Sequence, residues 1–207
     1  ITYENTNNDD PTANSRTVGF TLTDGDGGTS STSNATVTVT AANDAPTISN
    51  LNSDTLAYTA GDDASIIDQG TVSSTADVDS TDFDTGTLTV SISANRVSTE
   101  DKLAIKNTGT GSGEIGITGS NVTYGGTTIG TFTGGTGTDN LVITFNSGAT
   151  PAAATALIKS ITYENTNTSN PTASSRTVGF TLTDGDSGTS TTSNATVTVS
   201  AETTTTT

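Results

Sequence analysis

Residues 176–200 read RTVGFTLTDGDSGTSTTSNATVTVS and contain two arms separated by the short run DGDSG. In the second arm, Thr196 and Thr198 alternate with Val197 and Val199, so valine and threonine fall on opposite faces. A period of two is the pattern of a half-buried β-strand, and Asp and Gly between two such arms are typical of a turn. The segment therefore predicts a β-hairpin, with Arg176–Thr183 as its first strand.

The hairpin belongs to an internal repeat. Residues 1–41 align with residues 161–201 at an offset of 160, and 34 of the 41 positions are identical. The repeat unit is therefore 160 residues long, which makes residues 42–201 one complete unit and residues 1–41 the C-terminal part of a preceding one. The short polar linker AANDAP at 41–46 marks the boundary. Residues 202–207, one Glu and five Thr, break the period and are expected to be a tail or linker.

Alternating apolar residues mark further strands within the complete unit. The candidates are 88–92, 102–105, 114–117, 122–124, 128–132, 141–145 and 161–163. One helix is predicted at about 151–159, with Thr150 as N-cap and Pro151 at the first position. Its apolar side favours core packing, and a partner-binding face is the alternative. The fold class expected is an all-β, immunoglobulin- or cadherin-like sandwich in a tandem array.

The partial unit 1–41 carries about three predicted strands. Three strands do not close a sandwich core, so we expect this unit to borrow partners or to remain loose.

Composition excludes several functions. The 207 residues carry a formal charge of −16, with no His, Cys, Met or Trp, and Thr makes up about a quarter of the chain. Disulfide frameworks, zinc fingers and thiol or imidazole catalysis are therefore excluded, and nucleic acid and anionic membranes are not expected partners. No apolar run is long enough for membrane insertion. The abrupt start at Ile1 suggests a piece of something longer.

We expect no enzymatic activity, since the acidic residues lie in polar Gly-rich loops where a raised pKa is not expected.

Acidic residues are clustered in loops, at a spacing that lets carboxylates converge on a cation. The candidate metal ligands are Asp77, Asp79, Asp82 and Asp84 in one loop, Asp184 and Asp186 in the hairpin turn, their copies Asp24 and Asp26, the linker pair Asn43 and Asp44, and Glu4 with its copy Glu164. Oxygen donors of this kind suit Ca²⁺. Ordinary solvated turns are the alternative.

Topology is expected to bring several of these groups to one junction. If the first strand after Pro46 runs away from the linker and a strand near 71–76 runs back, loop 77–84 lies at the linker end. The hairpin turn 184–186 lies there as well, because the last strand must leave by the opposite pole. Glu4 ends a strand that points toward the same junction from the preceding unit. Glu4, Asn43, Asp44, Asp77 and Asp79 are thus predicted to meet, with Asp184 and Asp186 as further candidates.

The linker NDAP at 43–46, the loop DVD at 77–79 and the Glu near the far pole resemble the calcium-binding elements of cadherins. Together with ITYENT and RTVGFTLTDGDGG, they resemble the cadherin-like repeats of large bacterial surface proteins, secreted adhesins often exported by type I systems. The resemblance covers residues 42–201 and the partial copy. It implies a sandwich fold, Ca²⁺ between neighbouring repeats, an extracellular or cell-surface location, and a role in adhesion or spacing.

Two functions follow as hypotheses. The first is a non-enzymatic spacer or adhesion module whose partners are the neighbouring repeats of the same chain, stiffened by Ca²⁺; the sequence does not identify an adhesive target. The second is a subunit of a self-assembling extracellular filament, in which residues 1–41 exchange strands with another copy.

Overall fold

The computed structural model describes residues 1–202, and the predicted tail beyond Glu202 lies outside the described residues. The chain divides into two compact units, Ile1–Asp44 and a second that begins at Ala45. The first unit contains β1 (Ser15–Phe20) and β2 (Ser33–Thr38). The second contains β3 (Thr47–Ser49), β4 (Thr55–Thr59), β5 (Ser65–Ile66), β6 (Ser74–Ala76), β7 (Thr87–Ala94), β8 (Asp101–Ile105), β9 (Ile115–Thr118), β10 (Asn121–Tyr124), β11 (Thr127–Thr133), β12 (Leu141–Phe145), α1 (Pro151–Ile158), β13 (Ile161–Asn165), β14 (Ser175–Leu182) and β15 (Ser193–Ser200).

The second unit is built on an eight-stranded sheet in the order β4-β15-β14-β7-β12-β11-β10-β9. A three-stranded sheet, β5-β13-β8, and the pair β3-β6 complete it. Residues from the two larger sheets meet in one core, where Tyr58 of β4 packs edge to face on Tyr163 of β13 with ring centroids 5.2 Å apart. The prediction of an all-β sandwich with one short helix is confirmed.

The helix α1 closes part of this core. Thr150 caps it by accepting a hydrogen bond from the backbone N–H of Ala153 at 3.3 Å, and Pro151 begins it, as the sequence predicts. Its buried residues are Ala153, Ala154, Leu157 and Ile158. The hydroxyl of Thr75 in β6 donates to the carbonyl of Pro151 at 2.7 Å, which fixes the helix against β6. Core packing therefore accounts for the apolar side of α1.

In the first unit, the repeated hairpin forms without the rest of the sandwich. Strands β1 and β2 pair antiparallel, with Arg16 opposite Val37 and Val18 opposite Ala35. The same register occurs in the second unit, where Arg176 lies opposite Val197. The prediction of about three strands is wrong, because only two form and Ile1–Tyr3 is not a strand. The counterpart of that segment, β13, is a strand through its pairing with β5 and β8, which the first unit lacks.

The chain crosses the second unit from one end to the other. It enters at β3, which pairs antiparallel with β6, so that Thr47 lies opposite Ala76. It leaves along β15, which starts beside β3, since the hydroxyl of Ser193 donates to the carbonyl of Ile48 at 3.3 Å. The eight residues of β15 separate the two ends by ~23 Å at the usual rise per residue. Entry and exit therefore lie at opposite poles, as predicted.

Candidate metal centre

Two acidic loops lie at the pole where the chain enters the second unit, here called the entry pole. The loop 77–86 follows β6 directly, and β6 is held to the entry strand by its backbone pairing and by a hydrogen bond from the Thr47 hydroxyl to the Ala76 carbonyl at 3.2 Å. The turn 184–188 follows β14, whose partner β7 begins just after the first loop. The alternating strand directions thus bring the two loops to the same end of the sandwich.

Asp77 and Asp79 form a carboxyl pair immediately after β6. One oxygen of Asp77, Oδ1, accepts hydrogen bonds from the backbone N–H groups of Asp79 and Ser80 at 3.2 and 3.1 Å. The other oxygen, Oδ2, is buried and has no hydrogen-bond partner among residues 1–202. Burial and the adjacent carboxyl group of Asp79 raise the pKa of Asp77, so the expectation that no acid in these loops has a raised pKa is wrong at this position. A buried oxygen beside a second carboxyl group is a position where a bound cation or proton lowers the free energy of the folded state.

Asp82 and Asp84 lie further along the same loop, on either side of a buried anchor. The Oδ1 atom of Asp82 accepts the backbone N–H of Asp84 at 3.1 Å. Between them, Phe83 is fully buried, its ring 6.3 Å from that of Phe145, and its N–H donates to the carbonyl of Ala149 at 2.9 Å. This anchor fixes the loop, while the side chain of Asp84 is exposed.

The second acidic loop is a turn organised by its own carboxylate. Asp184 is fully buried, and its Oδ1 accepts the backbone N–H groups of Asp186 and Gly188 at 2.8 and 2.9 Å. The turn touches the first loop, because the hydroxyl of Thr85 donates to the carbonyl of Gly185 at 3.5 Å. Asp184 therefore shapes the turn, in agreement with the turn-forming alternative, and Asp186 is exposed beside it.

Gly185 controls how closely the two loops approach. It has φ +93°, and a Cβ built there would lie 1.9 Å from the carbonyl oxygen of Asp84. We expect Gly185→Ala to cost the strain of a positive φ plus about 1–3 kcal/mol for the forced separation. Gly113→Ala is the matched control in the same unit, since φ is +82° but the Cβ would meet nothing within 4 Å. Calorimetric unfolding of both variants checks this, and equal losses would contradict the close contact.

The acidic residues of the first unit lie in exposed surroundings. Asp24 forms the same turn as Asp184, accepting the N–H groups of Asp26 and Gly28 at 2.9 Å each. These hydrogen bonds lower the pKa of Asp24. Glu4 is exposed, and in the linker the amide of Asn43 donates to the backbone carbonyl of Asp44 at 2.8 Å. The predicted convergence of these residues with Asp77 and Asp79 stays a prediction.

Glu164, the copy of Glu4, lies away from the entry pole. It is on β13 and pairs with Lys102, whose Nζ is 2.8 Å from its Oε2. Since a cation already neutralises this carboxylate, Glu164 is poorly placed as a metal ligand in the complete unit.

Within residues 1–202, no group of three or more acidic side chains converges on a position that would hold a metal ion. The acidic donors at the entry pole therefore reduce to the pair Asp77 and Asp79. The six to eight oxygens that Ca²⁺ prefers would have to include backbone carbonyls or water as well. Two carboxyl groups alone are fewer acidic ligands than the sequence analysis expected at this pole.

A second charged cluster, which the sequence did not predict, is buried at the opposite pole. The guanidinium of Arg176 is fully buried, with Nε 3.1 Å from Oδ1 of Asp101 and Nη2 3.8 Å from Oε2 of Glu100. The hydroxyl of Tyr163 donates to the same Oδ1 of Asp101 at 2.6 Å. Burial and this hydrogen bond raise the pKa of Tyr163. The cluster ties β14 to β8 and β13, that is, one sheet to the other.

Glu100 is held ionised by donors from the end of β13 and from the loop between β13 and β14. Burial alone would raise its pKa, but hydrogen bonds from Thr172, Asn167 and Asn165 outweigh burial and lower the pKa to about 2. The sequence did contain a signal for the cluster. Arg176 shares the period of two with the inward-facing Val178 and Phe180, and a buried Arg requires a carboxylate partner.

Protein-family models, curated proteins and solved structures were compared with the chain, and none of them matches it. In the described part of the chain, no helix has the length and apolar character needed to cross a membrane.

Proposed function

We propose that the chain is a non-enzymatic, extracellular repeat module of a bacterial surface adhesin that acts as a spacer or adhesion element. The observation that carries the proposal is the path of the chain through the second unit, which enters at one pole and leaves at the other, ~23 Å away along β15. A unit with its entry and exit at opposite poles suits a spacer, because each repeat at an offset of 160 residues adds its own length to the chain. The resemblance to cadherin-like bacterial repeats supports the cell-surface location.

We further propose that Ca²⁺ binds at Asp77 and Asp79 and stiffens the connection to the preceding unit. Support comes from the contact between the two carboxyl groups and from the buried Oδ2 of Asp77. The linker Asn43-Asp44-Ala45 directly precedes this pole in the sequence and offers further oxygen donors. Without a cation, the two carboxylates repel each other, and binding to the folded state alone stabilises it by mass action.

Thermal unfolding of the full chain tests the cation proposal. At Ca²⁺ a hundredfold above Kd, we expect a gain of about 2.7 kcal/mol, which is a Tm rise of roughly 5–10 °C for a unit of this size. EDTA should remove the rise, and Mg²⁺ at the same concentration should give less of it. Asp77→Asn with Asp79→Asn should abolish the Ca²⁺ effect.

The matched control removes the same charge elsewhere. Asp9→Ser with Asp10→Asn converts two exposed acids to the residues found at the corresponding positions of the second copy, Ser169 and Asn170. This variant should keep the full Ca²⁺ effect. Superimposable melts in EDTA, Ca²⁺ and Mg²⁺ would exclude a stabilising cation. If both double variants lost the Ca²⁺-dependent rise in Tm equally, the rise would reflect general charge screening.

Both the Ca²⁺ affinity and the stability of the fold are expected to depend on pH through Asp77. Because the folded chain raises the pKa of Asp77, protons compete with Ca²⁺ at a higher pH than for an ordinary carboxylate. Ca²⁺ affinity should therefore fall as the pH is lowered toward that pKa. Without Ca²⁺, ionisation of Asp77 should instead reduce stability as the pH rises.

A filament subunit is the second candidate, and the exposed apolar residues of the first unit favour it. Phe20 and Tyr3 are 38% and 44% exposed, whereas their copies Phe180 and Tyr163 are fully buried. Sedimentation of the full chain separates the two functions, since a filament subunit forms end-to-end polymers at micromolar concentration and a spacer module stays monomeric.

A further inference from the structure

The peptide bond between Asp10 and Pro11 is the only Asp–Pro bond in the sequence, since the other three prolines follow Ala45, Thr150 and Asn170. The side-chain carboxyl group of an aspartate is placed to close a five-membered ring on the backbone carbonyl carbon of the same residue. A competing ring closure, in which the next backbone nitrogen attacks the side chain, needs an N–H that proline lacks. Asp10 is therefore left with the reaction at its own carbonyl.

The side chain of Asn7 holds this bond in a turn. Its Oδ1 accepts the backbone N–H of Asp10 at 3.1 Å, and its Nδ2 donates to the backbone carbonyl oxygen of Asp10. A hydrogen bond to that oxygen draws electron density from the carbonyl carbon and stabilises the negative charge that the oxygen gains when the carbon is attacked. Asn7 therefore both fixes and activates the carbonyl group of the Asp10–Pro11 bond.

The carboxyl group of Asp10 is free to act as the nucleophile. It is exposed, and within residues 1–202 it accepts no hydrogen bond and forms no ion pair. Because the carboxyl group and the carbonyl belong to the same residue, the attack is intramolecular. Well-oriented groups in one molecule react as if the nucleophile were present at about 10⁵ M or more.

The second copy of the turn has the same geometry but no carboxyl group. Nδ2 of Asn167 donates to the carbonyl of Asn170 at 2.7 Å, and its Oδ1 accepts the N–H of Asn170 at 3.1 Å. Asn170 is exposed in the complete unit just as Asp10 is in the partial one, so the arrangement does not depend on what surrounds the first hairpin. A neutral amide is a much weaker nucleophile than a carboxylate. The bond between Asn170 and Pro171 is therefore a matched control within the same chain.

We propose that the Asp10–Pro11 bond is a self-cleavage site, at which the carboxyl group of Asp10 cuts the chain. A carboxylate oxygen of Asp10 bonds to the backbone carbonyl carbon of the same residue. The bond from that carbon to the nitrogen of Pro11 breaks, and the nitrogen takes up a proton and leaves as a secondary amine. The cyclic anhydride left on Asp10 then reacts with water and becomes two carboxyl groups. The net change is the addition of one water molecule across one peptide bond, with no oxidation or reduction.

The cut separates residues 1–10 from the hairpin of β1 and β2, and the corresponding position in the second unit lies in the loop between β13 and β14. Because the departing nitrogen must take up a proton, acid accelerates the cut. A repeat with Asp at this position is therefore opened in mild acid, whereas a repeat with Asn, such as residues 42–201, stays intact. The reaction does not depend on the proposed cation at Asp77 and Asp79 or on the spacer role.

Incubation of the full chain at pH 4 and at pH 7, followed by mass spectrometry of the products, tests the proposal. We expect a peptide of residues 1–10 and a chain that begins at Pro11, formed at least about tenfold faster at pH 4. The bond between Asn170 and Pro171 should stay intact under the same conditions. The pKa of Glu100 is about 2, so the buried cluster of the second unit keeps this charge at pH 4.

Variants of exposed residues separate the turn from the ordinary acid lability of an Asp–Pro bond. Asp10→Asn should abolish the cut, whereas Asp9→Ser removes a neighbouring charge and should leave the rate unchanged. Asn7→Asp keeps an oxygen that accepts the N–H of Asp10 but loses the donor to its carbonyl. This variant should be cut about five- to tenfold more slowly, the equivalent in rate of one hydrogen bond. A rate equal to that of the parent chain would overturn activation by the turn.

Asn170→Asp transfers the nucleophile to the second copy of the turn. Since Asn170 is exposed, the fold of the second unit should be kept, and circular dichroism checks this. We expect a new cut before Pro171, at a rate similar to that of the cut before Pro11, because Asn167 holds the same carbonyl. An uncut parent chain at pH 4, a cut before Pro11 that persists in Asp10→Asn, or a folded Asn170→Asp variant that stays intact would each overturn the proposal.

Discussion

Arg176→Ala is expected to lower the free energy of unfolding of the second unit by about 3–5 kcal/mol. The substitution leaves Asp101 buried with a single remaining side-chain donor, the hydroxyl of Tyr163, and removes the counter-charge of Glu100. An unpaired buried carboxylate costs far more than the ion pair contributes, because it has lost its hydration without compensation. Calorimetry or urea unfolding of the full chain measures the loss.

Arg16→Ala is the control, since the sequence from Ser15 to Asp26 is identical to that from Ser175 to Asp186, but no carboxylate is paired with Arg16 among the described residues. We expect this change to alter stability by less than about 0.5 kcal/mol, the usual range for a substitution outside a buried network. Arg176→Lys should fall between the two, because the charge is kept while the planar contact with Asp101 is lost. A loss below about 1 kcal/mol for Arg176→Ala would mean that water reaches the cluster and that it does not tie the sheets together.

The segment ITYEN shows where prediction from sequence ends. It occurs at 1–5 and at 161–165, yet only the second copy is a strand, with Ile161 and Tyr163 fully buried. Strand formation at this sequence depends on backbone pairing with β8 and β5. The local pattern therefore predicts that a segment is able to form a strand, but the neighbouring strands decide whether it does.

The entry pole was more predictable than the buried cluster at the other end. Antiparallel connections force successive loops to alternate between poles, so the placement of Asp77 and of the Asp184 turn at one end followed from strand count and direction. The partner of Arg176 depends instead on which of the chain's many acidic residues lies across the sandwich, 75 positions away at Asp101. A pattern with a period of two identifies the face of a residue, but it carries no information about such distant partners.

The turn at Asp184 and its copy at Asp24 have the same local structure, although one is buried and the other is exposed. Asp24 and Asp184 accept the same two backbone hydrogen bonds, so the turn is encoded locally. Burial of Asp184, in contrast, comes from the surrounding sandwich. The acidic turn is thus explained by local hydrogen bonding, which leaves Asp77 and Asp79 as the pair on which the proposed cation site rests.

Leu182→Ala is expected to destabilise the second unit by about 2–5 kcal/mol, the range for truncating a fully buried leucine. Leu182 ends β14 opposite Leu88 of β7, so its removal leaves a cavity next to the acidic turn. Leu22→Ala removes the same atoms from the same sequence, where the side chain is 75% exposed, and should change stability by less than about 0.5 kcal/mol. Calorimetry on the full chain gives the loss of unfolding free energy in each variant. The difference between the two losses is the stabilisation gained when residues 45–160 bury this leucine. Comparable losses would mean that the first unit already buries Leu22 in solution, and the available surface on the first hairpin would then be smaller than its exposed apolar residues indicate.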